Sequence, residues 1–185
     1  MWMRVQAGNG NFSVALDNAN RGLVRADQGV VVDASQAVGL DTGAGYGGYV
    51  ITLGGTREAP TFTIERVTST APFTEAVPGF FGPQPYEAGK VIEFDGMQLT
   101  LKGDPMGVGD PTQPTSGSDP VPPDTIRLTP VQEPTDLFAT MQRAIDALRY
   151  AGENQKAHIT QELDRVLTEM DSGADRILDA RGRVG

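Results

Sequence analysis

The chain has 185 residues, 24 Asp plus Glu against 15 Lys plus Arg, a net charge of -9 and no cysteine. That balance lacks the basic footprint of a nucleic-acid binder, and the missing thiols remove cysteine nucleophiles, Cys-based zinc sites and disulfides together. No apolar run reaches the roughly 20 residues of a membrane-spanning helix, and Met1-Trp2-Met3-Arg4 does not open a secretory signal.

Residues 1–102 read as β structure. Phe12, Val14 and Leu16 alternate, as do Tyr49, Ile51 and Leu53, and Phe62 with Ile64, each run closing on Gly, Asn or Pro. The clearest local signal is Val91 to Leu101, where Asp95-Gly96 suits the positive φ angles of a two-residue turn. The spacing predicts a β-hairpin whose inward faces are Ile92 and Phe94 on one strand and Met97, Leu99 and Leu101 on the other.

Residues 103–124 collect Pro105, Pro111, Pro114, Pro120, Pro122 and Pro123 among Gly, Ser, Thr and Asp, a composition with too little apolar surface to offset its ordering. They read as a mobile insertion in the β domain, after which Ile126 and Leu128 resume a strand ending at Pro130. Pro134-Thr135-Asp136 is a helix start with Thr135 able to cap, and Leu137, Met141, Ala144, Ile145 and Leu148 follow at helical spacing up to Gly152. A second helix from about Asn154 carries Ile159, Leu163, Val166, Leu167, Met170, Ala174, Ile177 and Leu178 near a 3.5-residue repeat.

These elements predict an α+β fold, with a β-rich domain over 1–130 and helices over 131–185. The short connection makes the helices antiparallel neighbours, and the second outruns the first. Leu137, Met141, Ile145, Leu148, Ile159, Leu163, Val166, Met170, Ile177 and Leu178 form the candidate packing and assembly stripe. The chain stops at Arg181-Gly182-Arg183-Val184-Gly185 while the stripe could continue, so it reads as a piece of a longer protein.

The search for chemistry yields no catalytic, cofactor or metal set. Gly43-Ala44-Gly45-Tyr46-Gly47-Gly48 has phosphate-loop spacing, yet a strand follows where a helix is needed, so it reads as a turn. His158, the lone histidine, reads as a solvent-facing helix residue. Glu162, Asp164, Glu169, Asp171, Asp175 and Asp179 are interleaved with Arg165, Arg176 and Arg181, which marks a solvated face. The pairs Asp146/Arg149, Glu162/Arg165 and Asp179/Arg183 have weak ion-pair spacing, and Asn11-Phe12-Ser13 is a chance-level sequon.

Three stretches, in order, resemble the hook-associated protein 3 family, the flagellin-like proteins of the bacterial hook-filament junction. Tyr86 to Leu101 with Gly103-Asp104-Pro105 is similar to the family's aromatic, Gly, FxGM, Gly-x-Pro segment. Pro123 to Pro130 resembles its GD-T-F-x-V-x-P strand. Asp136 to Leu148, leading to Ile177 to Gly185, resembles its helix opening and ARAxVG run. Two departures are Met106 to Pro122, an insertion, and Gly182 in place of the usual Ala.

The resemblance implies a non-enzymatic adaptor joining hook and filament, with the β-rich domain outermost. Its implied partners are copies of itself in a ring, the first hook-associated protein and flagellin, with no nucleic acid or membrane. It implies an extracellular flagellar location reached through the type III export apparatus, and an isolated fragment that is monomeric. The competing reading is a surface adhesin or carbohydrate-binding module on a helical stalk, resting on Phe73, Phe80, Phe81 and Tyr86, whose plainer role is to pin a loop onto the sheet.

Overall fold

A computed structural model describes residues 12–17, 20, 22–27, 29–56, 58–105, 123–130, 137–149 and 156–184. The short strands β1 (Phe12–Leu16), β2 (Arg25–Ala26) and β3 (Val30–Val31) lead through two single 3-10 turns, Val38–Leu40 and Thr42–Ala44, into the long pair β4 (Tyr46–Gly55) and β5 (Pro60–Thr68). Then come β6 (Thr74–Ala76), β7 (Gln84–Pro85), the hairpin β8 (Val91–Phe94) and β9 (Met97–Lys102), and β10 (Thr125–Pro130). Helices α1 (Leu137–Arg149) and α2 (Lys156–Val184) close the chain.

Two antiparallel sheets result. The larger runs β1-β10-β4-β5-β6, with β7 beside β6 on β5, and the smaller is built on β9, which pairs with β2, β3 and β8. The alternation read from the sequence holds: Val14, Ile51, Leu53, Ile64, Ile126 and Leu128 are fully buried, as are Met97, Leu99 and Leu101 from the hairpin. Each such side chain contributes about 1.5–3 kcal/mol by leaving water. Tyr49 and Phe94 meet edge to face with centroids 5.2 Å apart and join the two sheets through one core.

The hairpin turn is the expected one. Asp95 and Gly96 have φ of 43 and 67°, and Phe94 pairs with Met97 across them. A side chain at Gly96 would strike the Asp33 carbonyl oxygen, which is itself part of a loop bonded to the turn through the Asp33 amide and the Gly96 carbonyl, 2.9 Å. The Gly43 to Gly48 stretch is likewise a turn before a strand, and the Asp41 carboxylate caps it by accepting from the Gly43 and Ala44 amides.

The proline-rich segment corrects the sequence reading at both ends. Pro105 is buried, and buried Asp124 accepts from the Gly22 amide at 2.7 Å. Composition averaged over 103–124 hid these anchored flanks, while residues 106–122 lie outside the described ones. The Asn11-Phe12-Ser13 sequon likewise begins outside them.

Candidate functional site

Among the described residues there is no group of three or more His, Asp or Glu side chains able to hold a metal ion. The polar clusters instead join elements to one another. Between the sheets, Arg66 on β5 donates two bonds to Asp95, at 2.6 and 2.9 Å, and one to Glu75 at 3.0 Å. The Tyr49 hydroxyl donates to the same Asp95 carboxylate at 2.9 Å while accepting from the Gly39 amide at 3.0 Å. Burial, chiefly, raises the Tyr49 pKa well above the ordinary phenol value, so the hydroxyl remains a donor.

A second cluster ties α1 to α2. Glu169 accepts from the buried Thr140 hydroxyl at 2.7 Å, from Arg143 in a close ion pair, and from Arg165 one turn earlier on α2 at 3.1 Å. Glu162 approaches Arg165 at 3.7 Å, the spacing expected from the sequence. Glu169 is therefore not part of a purely solvated face. Partial burial works against its charge, but the Thr140 and Arg143 hydrogen bonds and the Arg143 and Arg165 charges outweigh it, and its pKa falls.

A carboxylate with a lowered folded-state pKa contributes stability above its unfolded value, near 4.5, and loses it as pH falls through the folded value. Acidification below that point is expected to loosen α1 from α2, seen as displacement of the methyl resonances of Val166, which is buried on α2. Glu169→Gln should be loosened already at neutral pH and should lose the acid step. Methyl resonances of Glu169→Gln that match the unsubstituted chain at neutral pH, or an acid step of the same size in both, would contradict this.

The candidate stripe is divided in space. On α2, Val166 is buried and Ile159, Leu163 and Met170 are half-buried, whereas Leu178 is exposed. On α1, Met141 and Ile145 are 40% and 43% exposed and Leu148 is 60% exposed. Phe138, 80% exposed, extends that row to the start of the helix. The side chains of Leu137 and Ile177 lie outside the described ones.

The side of α1 joined to α2 is instead carried by Thr140 and Arg143, with Ala144 and Ala147 half-buried along it. Small and polar residues make that contact, and Met141, Ile145 and Leu148 stay exposed among the described residues. Reading apolar spacing alone missed Thr140, Arg143 and Glu169.

The other end of α2 rests on the β-rich part. Ala157 joins its hydrophobic core, and the fully buried Gln161 side-chain carbonyl accepts from the Ala26 amide of β2 at 2.8 Å. His158 departs from the solvent-facing expectation: its Nε2 is closed off from solvent and has no partner among the described residues. Helical phase explains the difference, because residue 158 lies next to Ala157 and one turn from Gln161 on the side facing β2.

The aromatic group of the competing reading also divides. Phe80 packs against the core beside Phe62 and Phe94, and the buried Tyr86 donates its hydroxyl to the Gly103 carbonyl. Burial raises the Tyr86 pKa to about 12. These two pin the chain between β6 and β8, while Phe73 and Phe81 project into solvent, 65% and 80% exposed.

No protein-family profile matches the sequence, and no curated protein matches it either. Solved structures do. The flagellar junction protein FlgL from Legionella pneumophila superposes with a TM-score of 0.67 at 21% identity, covering 98% of this chain and 50% of that one. A second structure from Legionella pneumophila, flagellar hook associated protein-3, gives 0.67 at 20% identity, with coverage of 97% and 48%. FlgL from Xanthomonas campestris gives 0.65 at 18% identity, with 98% and 49%. The chain has the fold of these proteins and spans about half the length of each.

Proposed function

We propose that this chain is a major part of a non-enzymatic flagellar junction protein that joins hook to filament through contacts between subunits. The observation that carries this reading is likeness to solved flagellar junction and hook-associated protein structures along 98% of the chain, β-rich part and helices together. The side-chain chemistry supports it, since the polar clusters are engaged in joining elements.

In this reading residues 1–130 are the outer domain, and 131–185 belong to an antiparallel helical stalk. The row Phe138, Met141, Ile145 and Leu148, with Leu178 on α2, is an assembly surface that packs against further helices. Its partners are copies of itself in a ring, the first hook-associated protein and flagellin, and export by the flagellar type III apparatus delivers it outside the cell. Absence of cysteine suits passage as an unfolded chain.

Deleting the full-length gene in the source bacterium is expected to give hooks without filaments under the electron microscope and flagellin lost to the medium. Normal filaments would overturn the reading. Complementation with Ile145→Asp plus Leu148→Asp, which leave the core untouched, is expected to restore secretion of the protein but not filaments. Full restoration of filaments would remove the exposed α1 row from the assembly surface.

A further inference from the structure

We infer that the free edge of β8, with the groove beside it, is a docking site for an extended, positively charged peptide segment of a partner protein, which adds to β8 as a further strand. β9 is flanked by β8 on one side and by β2 and β3 on the other, so β8 is an edge. In a hairpin with a two-residue turn the residues flanking the turn, Phe94 and Met97, exchange backbone hydrogen bonds, and so do Ile92 and Leu99 two residues on. Val91 and Glu93 therefore direct their N–H and C=O groups away from β9, and no described residue pairs with them. The same alternation appears across β9, where the outward Thr100 carbonyl accepts from the Asp27 amide at 3.0 Å.

Alongside this edge runs a groove of about 220 Å³ whose apolar lining is Phe62, Phe80, Tyr86 and Ile92, with β7 among its walls. Its volume is below the roughly 300–1,000 Å³ of a small-molecule site and suits one or two inserted side chains. Backbone bonds from an open edge combined with a pocket for alternate side chains is the arrangement by which sheets capture extended peptides. The edge is short, but Val91-Ile92-Glu93-Phe94 contains no proline or lysine, and its one charge, Glu93, is exposed on the outer face.

Charge selects the occupant. Glu87 and Lys90 on the rim neutralise one another at 2.8 Å, which leaves Glu93 as the charge a bound strand meets. A second copy pairing β8 against β8 in antiparallel fashion would bring the two Glu93 side chains opposite or diagonal to one another on the same short ladder, and would bring together two chains of net charge -9. A basic strand meets neither penalty.

The test is an amide NMR titration with a blocked hexapeptide of alternating lysine and valine. Saturable binding with a Kd below about 1 mM is expected, with protection gained at the Val91 and Glu93 amides and little change at Ile92 and Phe94. The peptide with glutamate for lysine should bind at least about tenfold more weakly. Glu93→Pro removes an outward donor without touching a β8–β9 backbone bond, although it also removes the bond that the Glu93 carboxylate accepts from Gln98 at 2.7 Å, and should weaken binding by a similar factor.

No saturable binding, equal binding of the glutamate peptide, or undiminished binding to folded Glu93→Pro would each overturn the site. Self-association of the free chain that Glu93→Pro abolishes would instead assign the edge to a second copy. If Glu93→Pro does not fold, N-methylating alternate peptide amides replaces it. One set of methylations should abolish binding and the other should spare it; equal effects would overturn strand addition. None of these outcomes depends on the flagellar reading.

Discussion

Replacing Arg66 by leucine is expected to destabilise the β-rich part by about 3–5 kcal/mol, measured by urea unfolding, because it leaves the Asp95 carboxylate buried without its counter-charge. The side chains of Arg66 and Asp95 are 14% and 8% exposed and meet through two parallel hydrogen bonds. Loss of the guanidinium also frees Glu75, which then keeps, among the described residues, its bond from the Tyr46 hydroxyl at 3.0 Å. Adding Asp95→Asn should recover a large part of the loss, since asparagine tolerates the positive φ of the turn and removes the stranded charge. A single-variant cost below about 1 kcal/mol would show the pair to be hydrated and of little consequence.

The location of this pair shows where reading the sequence stops. Asp95-Gly96 was legible as a turn because the turn is a local property of two adjacent residues. Its second role, anchoring Arg66 from a different strand and Tyr49 from a third, depends on how two sheets face each other. The same division applies to the strands: alternation marked Val14 and Leu128 as inward-facing, but nothing local specifies that β1 pairs with β10, matching Val14 to Leu128 across the insertion.

The helices repeat this pattern with a different outcome. Spacing marked Met141, Ile145 and Leu148 as one apolar row, and they do share a side of α1. Which side meets α2 was decided by Thr140, Arg143 and Glu169, whose bonds span from one helix to the other. His158 was misread for a related reason, because a lone polar residue carries no periodic signal, and its neighbours Ala157 and Gln161 are placed by the core and by β2, which the sequence of α2 does not specify. An exposed apolar row beside a polar helix contact is the feature the assembly proposal explains most directly.

Gly48→Ala is expected to cost roughly 2–5 kcal/mol, combining backbone strain with a steric clash. Gly48 has a φ of 108°, and a β-carbon there would fall on the Leu128 carbonyl oxygen of β10, a backbone atom that cannot move without disturbing the β10–β4 pairing. The register of β4 against β5 shifts between Tyr46 and Tyr49, and Gly48 lies within that irregularity. Its freedom lets β4 turn so that Tyr49 enters the core and reaches both Gly39 and Asp95.

Gly54→Ala is the control, with a β-carbon 3.6 Å from the Thr61 hydroxyl and no positive φ, and should change stability by under about 0.5 kcal/mol. Comparable losses in the two variants would mean that β4 resists any added methyl, and the special role of Gly48 would fail. A large loss at Gly48 alone would place the constraint at the β4–β10 seam. That seam holds the strand from which the chain continues toward α1, so the same glycine would govern both the sheet core and the strand that leads to the helices.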